Sequence, residues 1–274
     1  MNMVKITNKD YYLPEIFGQL GVKRMDYGTT EPLIIRGVCT KTEQKGDYVT
    51  KFRNAPRMSI EASCRELIAS FIARELDLFV PDPALIRISP EFVNTLRGQY
   101  GYKNASNSIG LNFGCKLYDG FSVFPSNPTF STKQFEEAKK IYAFDLFILN
   151  SDRNNEKQNM LTNGEDILIF DHEKAFGFVF DISGNSNPGE LIPNELYWIK
   201  DHFLYNYLRQ KRNECSFDEF IESLSNLNSN FWKIVDSFIP PEWQTPQNIK
   251  IKETLMTIVE NRQLFLEQLN KTLS

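Results

Sequence analysis

The stretch from Asn150 to Glu173 constrains this chain more than any other. Residues 160–162 and 167–170 are short apolar runs separated by Asn163-Gly164-Glu165-Asp166, and Asn-Gly between two such runs is a strong hairpin signal. Antiparallel pairing sets the start of the first strand beside the end of the second, which makes Asn159 and Asp171 neighbours. Asp152 lies in the polar loop that feeds the hairpin, just after the apolar helical stretch 138–149. Two carboxylates and one amide are therefore predicted to converge. Such oxygen donors suit a magnesium ion carrying a nucleotide, with a spare carboxylate to orient a hydroxyl.

Upstream, residues 33–38 and 48–52 read as strands joined by the polar loop 39–47. Ser59 is a candidate N-cap, Glu61 favours the positive end of a helix, and Ile60, Cys64, Leu67, Ile68 and Phe71 recur at helical spacing up to Leu76. Val80-Pro81-Asp82-Pro83 stops that helix, and residues 84–88 read as a further strand. Ile109, Leu111, Phe113, Cys115 and Leu117 alternate with small or polar residues, as in a strand with one buried face, which ends at Asp119-Gly120. From Ser131 onward helices dominate: 135–149, then the hairpin, a Gly/Asn/Pro-rich loop at 183–189, and helical patterns near 201–210, 217–227 and 249–273. This order predicts an α+β protein with the bilobed architecture of a protein kinase. A β-rich N-lobe with one helix covers 1–120, and a helical C-lobe with the loop and hairpin covers 121–274.

Charge excludes several partners. The chain has 31 basic and 35 acidic residues, a net charge of -4, and its longest basic cluster, Arg209-Gln-Lys-Arg212, is short. No nucleic-acid or membrane surface is indicated. Cys39, Cys64, Cys115 and Cys215 are scattered without a CxxC pair, so neither a zinc site nor a disulfide framework is suggested, and a reducing cytoplasm fits. Lys5, Lys9, Asp10 and Glu15 interrupt the N-terminus, which argues against a signal peptide.

Lys51 lies on the second strand, fifteen residues before Glu66 on the following helix. Alone it is an ordinary solvated strand lysine. Glu66, however, falls on a helix face of Ala62, Ala69, Ser70 and Ala73, where a carboxylate needs a partner. A strand lysine held by a helix carboxylate positions an ammonium against phosphates. Asp171 closes the apolar run Ile167-Leu-Ile-Phe170, so it too needs a metal or a donor. Asp152 reads either as a catalytic-loop carboxylate or as a turn aspartate, and Asn159 either as a metal ligand or as a hairpin cap. Arg153 and Lys157 either neutralise transferring charge or are simply exposed. His172 fits a local hydrogen bond better than a base. The loop from Gly37 to Gly46 offers backbone N–H groups and the hydroxyls of Thr40 and Thr42 to phosphates, or is a plain connection; it carries neither GxGxxG nor a Walker motif.

Taken together, the chain resembles the HipA-like kinases, the bacterial high-persistence toxin family, and more distantly the phosphatidylinositol kinases. The matching features are Tyr48-Val-Thr-Lys-Phe52, Arg65-Glu-Leu-Ile-Ala69, Val80-Pro81, Phe113-Gly114, Asn150-Ser-Asp-Arg153, Asn159-Met-Leu161 and Phe170-Asp-His172. The resemblance implies that Lys51 contacts the phosphates of ATP, that Glu66 anchors it, that Asp152 orients the acceptor hydroxyl, and that Asn159 and Asp171 bind Mg2+. On that reading Gly37, Thr40, Thr42, Cys115, Leu117 and Lys157 are expected around the nucleotide. It implies a protein serine or threonine substrate and allows a DNA-binding antitoxin partner. A small-molecule or lipid kinase, an adenylyl transferase and a partner-binding pseudokinase are the competing readings on the same fold. Two departures stand out: the residue five after Asp152 is Lys157 rather than asparagine, with Asn154 and Asn155 as alternatives to Asn159, and Asp171-His-Glu173 lacks the glycine of DFG.

Overall fold

Alternating inward and outward residues in the first part of the chain close five strands into a barrel in the computed structural model, which describes residues 3–25, 30–181, 188–191 and 197–274. The strands are β1 (Glu15–Arg24), β2 (Leu33–Cys39), β3 (Lys45–Lys51), β4 (Pro83–Ile88) and β5 (Gly110–Lys116), in the order β1-β2-β3-β5-β4. β4 runs parallel to β1; the other pairs are antiparallel. Closure leaves no long exposed edge. Ile16, Leu33, Ile35, Tyr48, Ala84, Ile86 and Ile88 share one apolar cluster. Phe92 and Val93 of α2 (Pro90–Thr95), together with Ala105 of α3 (Tyr102–Ser106), belong to the same cluster.

So small a barrel has little room. Gly114 on β5 pairs with Ala84 and Thr50, and a Cβ there would collide with the Ile86 side chain and lie 2.9 Å from the Val49 carbonyl oxygen. The Asn112 side chain is fully buried and completely served: Oδ1 accepts from Arg53 N at 2.9 Å, while Nδ2 donates to the Ser108 and Gly110 carbonyls at 2.8 and 3.0 Å.

The alternate residues Leu85, Leu111 and Phe113 belong instead to a second, larger cluster, which includes helix α1 (Ile60–Glu75). Ser59 caps α1 by accepting from Ala62 N at 3.1 Å, and every residue from Ala62 to Glu75 is buried. The same cluster includes α4 (Thr132–Phe147), which opens on a capping box between Ser131 and Gln134. A three-stranded sheet follows, β6 (Ser122–Val123), β7 (Met160–Thr162) and β8 (Ile167–Ile169), so the expected hairpin has gained a short third strand. Asn163 Oδ1 accepts from Glu165 N and Asp166 N at 3.0 and 2.8 Å, and Gly164 supplies the positive φ of 95°. The hairpin thus forms where Asn-Gly predicts one, but as an Asx turn in the four-residue connection 163–166 with only Gly164 at positive φ, not as a two-residue turn.

The helical remainder is more divided than its periodicity suggests. Residues 201–210 split into α5 (Trp198–Asp201) and α6 (Tyr205–Gln210), because the His202 side chain turns inward and its Nδ1 takes the Leu204 N–H at 3.1 Å. The pattern over 217–227 is α7 (Asp218–Ser223) plus a short 3-10 turn. Next comes the unforeseen α8 (Ser229–Phe238), capped by Asn228 and packed through Phe231, Trp232 and Val235. The single helix expected over 249–273 breaks at Asn261 into α9 (Pro246–Glu260) and α10 (Arg262–Thr272). The loop expected at 183–189 lies outside the described residues apart from Pro188 and Gly189.

The tight barrel interior sets a first test. Gly114→Ala is expected to lower stability by about 1–3 kcal/mol, as overpacking does, measured as a fall in the urea midpoint. An unchanged midpoint would show that the barrel accommodates the methyl group.

Candidate active site

Lys51 is the last residue of β3 and sits opposite Phe113 on β5. Its ammonium reaches three carboxylates. It binds Glu66 Oε1 of α1, Asp171 Oδ1 just past β8 at 2.5 Å, and Glu173 Oε2 at 3.5 Å. Burial alone would discharge this lysine, but Asp171, Glu66 and Glu173 override it and hold its pKa well above the usual lysine value. Burial likewise works against charge on Asp171, yet Lys51 and Lys157 draw its pKa down to about 2. At Glu66 burial prevails and raises the pKa, since three carboxylates share one ammonium. Glu66 Oε2 also accepts from His172 N at 2.9 Å, which locks α1 to the segment after β8.

A second run of contacts leads to Asp152. Lys157 Nζ lies 2.8 Å from Asp152 Oδ2 and 3.7 Å from Asp171 Oδ2, and Lys174 Nζ lies 2.6 Å from Asp152 Oδ1. Asn159 Nδ2 donates to the Asp152 carbonyl at 3.2 Å, and among the described residues nothing donates to its Oδ1. The ladder of β7 and β8 extends by one bond, Phe170 N to Asn159 O at 3.1 Å, which sets Asn159 beside Asp171. Asp152, Asn159, Asp171, Lys157, Lys51 and Glu66 are thus brought together.

The backbone around them is strained. Leu149, Asn159, Asp171 and Phe176 all have positive φ, between 46° and 63°. At Leu149 the strain ends α4: Leu149 N bonds to Leu146 O at 3.3 Å and Asn150 N to Asp145 O at 2.8 Å, a Schellman arrangement with leucine where glycine is usual. Unfavoured backbone held in place by its surroundings gathers at functional sites.

Arg153 is neither exposed nor aimed at a phosphate, which corrects both sequence readings. Its side chain is wholly buried and holds the loop from beneath: Nε lies 2.5 Å from Asp145 Oδ2, Nη1 donates to Asn159 O at 2.6 Å, and Nη2 lies 3.3 Å from His172 Nε2. Asp145 also binds His202 Nε2 at 3.0 Å and Asn150 Nδ2 at 2.8 Å. Burial opposes the Asp145 charge, but Arg153 and His202 outweigh it and keep its pKa below the ordinary carboxylate value. Burial, reinforced by Arg153, lowers His172 to about 3, so its ring is neutral and serves as a local hydrogen-bond partner rather than a base. Burial also lowers His202, although Asp145 works in the opposite direction.

The loop reading of Gly37 is corrected as well. β2 and β3 continue their ladder through Gly37 opposite Gly46, so the connection is only residues 40–44. Gly37 instead admits β1: a Cβ there would meet Ile16 and lie 3.0 Å from the Phe17 carbonyl oxygen. Thr40 and Thr42 lie in that exposed connection. Cys115 lies close enough to the acidic cluster for Glu66 to raise its thiol pKa, which burial chiefly pushes up to about 12. Leu117 N bonds to Asp47 O at 2.9 Å.

Glu173, Lys174, Asp145 and His202 were not foreseen. A lone aspartate within the apolar run Ile141-Tyr-Ala-Phe-Asp-Leu-Phe147 was a usable signal, because such a carboxylate must find a buried cation.

The family model described as HipA-like kinase matches residues 21–272. The chain belongs to the HipA-like kinases. Among solved structures it is similar to the crystal structure of a Helicobacter pylori proinflammatory kinase, CtkA, at 13% identity and a TM-score of 0.46, covering 92% of this chain and 93% of that one. No curated protein matches the sequence.

In this HipA-like kinase the buried imidazole of His202 gives a pH signature. The unfolded chain takes up a proton near pH 6.5, whereas the folded state resists it to a lower pH. Below about 6.5 the unfolded state therefore binds more protons, and stability is lost as pH falls. His202→Gln is expected to remove that share, so the difference in urea midpoint between pH 7.5 and 5.5 shrinks; an equal pH dependence in both proteins would refute it.

Proposed function

We propose that the chain transfers a phosphoryl group from ATP, with magnesium, to a serine or threonine hydroxyl of a protein. One observation carries this reading. Asp152, Lys157, Asp171, Lys51 and Glu66 form a continuous run of charge contacts that joins the barrel, α1 and the hairpin sheet. Two lobes, 1–120 and 121–274, with the site between them, fit this arrangement.

The donor set fits a hard divalent cation. Asp171 offers two oxygens, Asn159 a free Oδ1, and Glu173 Oε2 is buried without a hydrogen-bond donor. Asn159 and Asp171 would hold the ion, which when bound neutralises charge on the phosphates. Lys51, kept charged by its carboxylates and positioned by Glu66, would bind the phosphates. Lys157, already between Asp152 and Asp171, would face the transferred group and offset its charge. Asp152 would accept the proton of the attacking hydroxyl, after its ion pair with the half-exposed Lys174 opens. Thr40 and Thr42 would cover the phosphates, and Cys115 and Leu117 would border the base.

ATP with magnesium is expected to raise the melting temperature, by an amount equivalent to about 2.7 kcal/mol at a hundredfold excess over Kd, and Asp171→Ala to abolish the shift. Asp152→Asn is expected to keep the shift but slow label transfer by about 100-fold or more. Transfer of the γ-label marks a kinase, whereas retention of the α-label on the product marks an adenylyl transferase. Wild-type protein that shows no shift would remove the nucleotide reading.

A further inference from the structure

Asp152 is covered on both of its oxygens by ammonium groups. Its side chain is 3% exposed, with Lys157 Nζ 2.8 Å from Oδ2 and Lys174 Nζ 2.6 Å from Oδ1. A hydroxyl that gives its proton to a carboxylate comes within about 2.6–3.2 Å of one of those oxygens. One lysine therefore has to leave before the acceptor arrives.

The two lysines are not equally free. Lys157 also faces Asp171 Oδ2 at 3.7 Å, its backbone N–H donates to Asn154 Oδ1 at 2.9 Å, and its side chain is 31% exposed. The Lys174 side chain is 52% exposed, and among the described residues its ammonium meets no carboxylate other than Asp152. The backbone beneath Lys174 is fixed. Ala175 N bonds to His172 O at 2.9 Å, His172 N donates to Glu66, and Arg65 Nε donates to the Glu173 carbonyl at 3.0 Å. The ammonium swings on a flexible four-carbon stem while its root stays in place. Release into water would leave a buried carboxylate short of a partner, which is costly. Release to another anion exchanges one ion pair for another.

We propose that Lys174 selects the acceptor: the chain takes a serine or threonine hydroxyl that has an acidic side chain one or two residues away, and that carboxylate draws Lys174 off Asp152 as the hydroxyl takes its place. This inference rests on the kinase reading above and names its substrate class, an acidic peptide segment. Along an extended peptide, residues two apart lie on one face at about 7 Å, within reach of a lysine head group turning about a fixed Cα. The exchange balances. The ammonium passes from Asp152 Oδ1 to the incoming carboxylate, and Asp152 receives the hydroxyl proton as the hydroxyl oxygen bonds to the γ-phosphorus and ADP departs. Lys157 stays on Oδ2, beside Asp171. A neutral acceptor has to break the Lys174 pair unaided, and a basic one adds repulsion.

Peptides of one sequence with a single serine, carrying Asp, Asn or Lys at each of the two positions on either side, are labelled from γ-labelled ATP by wild type, Lys174→Met and Lys174→Glu. Wild type is expected to favour Asp over Asn by about fivefold or more in kcat/KM at one of these positions at least, with Lys last. In Lys174→Met the gap closes from both ends, the Asn peptide being labelled faster and the Asp peptide slower. In Lys174→Glu the Lys peptide overtakes the Asp peptide. Equal rates on Asp and Asn peptides in wild type, or label on neither, overturn the proposal. A gap that survives in Lys174→Met overturns it too, as does an Asn peptide that this variant labels no faster, since a lysine that only docks the substrate does not obstruct the base. The melting shift with ATP and magnesium, read on the same three proteins, separates the two failures. A shift without acidic preference sinks this inference alone; a wild type without a shift sinks the kinase reading with it.

Discussion

A single ammonium group joins the parts of the chain that have to meet. Lys51 ends a barrel strand, Glu66 sits midway along α1, and Asp171 follows the hairpin sheet; without the lysine, three acidic residues with oxygens within 4.8 Å of one another would lose the cation they share. Removing water from such a group is costly, and attraction repays it only where the geometry is good. The surrounding bonds meet that demand. His172 N fixes one Glu66 oxygen, and Arg65 Nε reaches the Glu173 carbonyl at 3.0 Å while its Nη1 takes Gln247 Oε1 of α9 at 2.9 Å. The cluster is therefore held from α1, from α9 and from the barrel at once.

Beneath the acidic cluster, Asp145 does for the loop what Lys51 does for the cluster, with the sign reversed. One buried carboxylate collects Arg153, His202 and Asn150, and Arg153 passes on to the Asn159 carbonyl and the His172 ring. Arg153 thereby fixes the carbonyl of Asn159, one of four residues here at positive φ; for Leu149 and Phe176 that conformation is disfavoured by roughly 1–2 kcal/mol. Strain of this kind persists only where packing over-determines it. The result is that Asp152 and Asp171 point at the same lysine, Lys157, from two different segments.

Much of this was legible from local signals. The Asn-Gly hairpin and the Ser59 cap each rest on backbone chemistry that acts within a few residues, and the folded chain keeps them; β5 forms where its alternation predicts a strand, but with Leu111 to Phe113 and Gly114 all buried it has two covered faces rather than one. The HipA-like resemblance was legible for the same reason, since its motifs sit on those elements. β1 was not, because Gly18 and Gly21 interrupt its alternation and its pairing with β2 shifts register next to each of them. The breaks at His202 and Asn261 depend on what a side chain meets across the fold, which periodicity does not report. Arg153 shows the limit most clearly. Next to a candidate catalytic aspartate, an arginine reads as a phosphate ligand, and only the position of Asp145 on the preceding helix shows that it points inward.

The missing glycine of the DFG pattern has a physical counterpart in this network. A metal-binding aspartate swings out readily when a flexible residue follows it and its neighbours make few bonds. Here the residue two places on is Glu173, whose carbonyl is gripped by Arg65 and whose carboxylate faces Lys51. Between them, His172 donates its N–H to Glu66, stacks edge-on against Phe144 at 5.7 Å and lies against Arg153. To flip this segment would expose a neutral imidazole, strand a guanidinium and leave Glu66 with one partner fewer, all in a buried place. The arrangement favours a fixed segment after β8, with adjustment left to the lysines, whose flexible stems let Lys51, Lys157 and Lys174 move without disturbing the backbone that holds the acids.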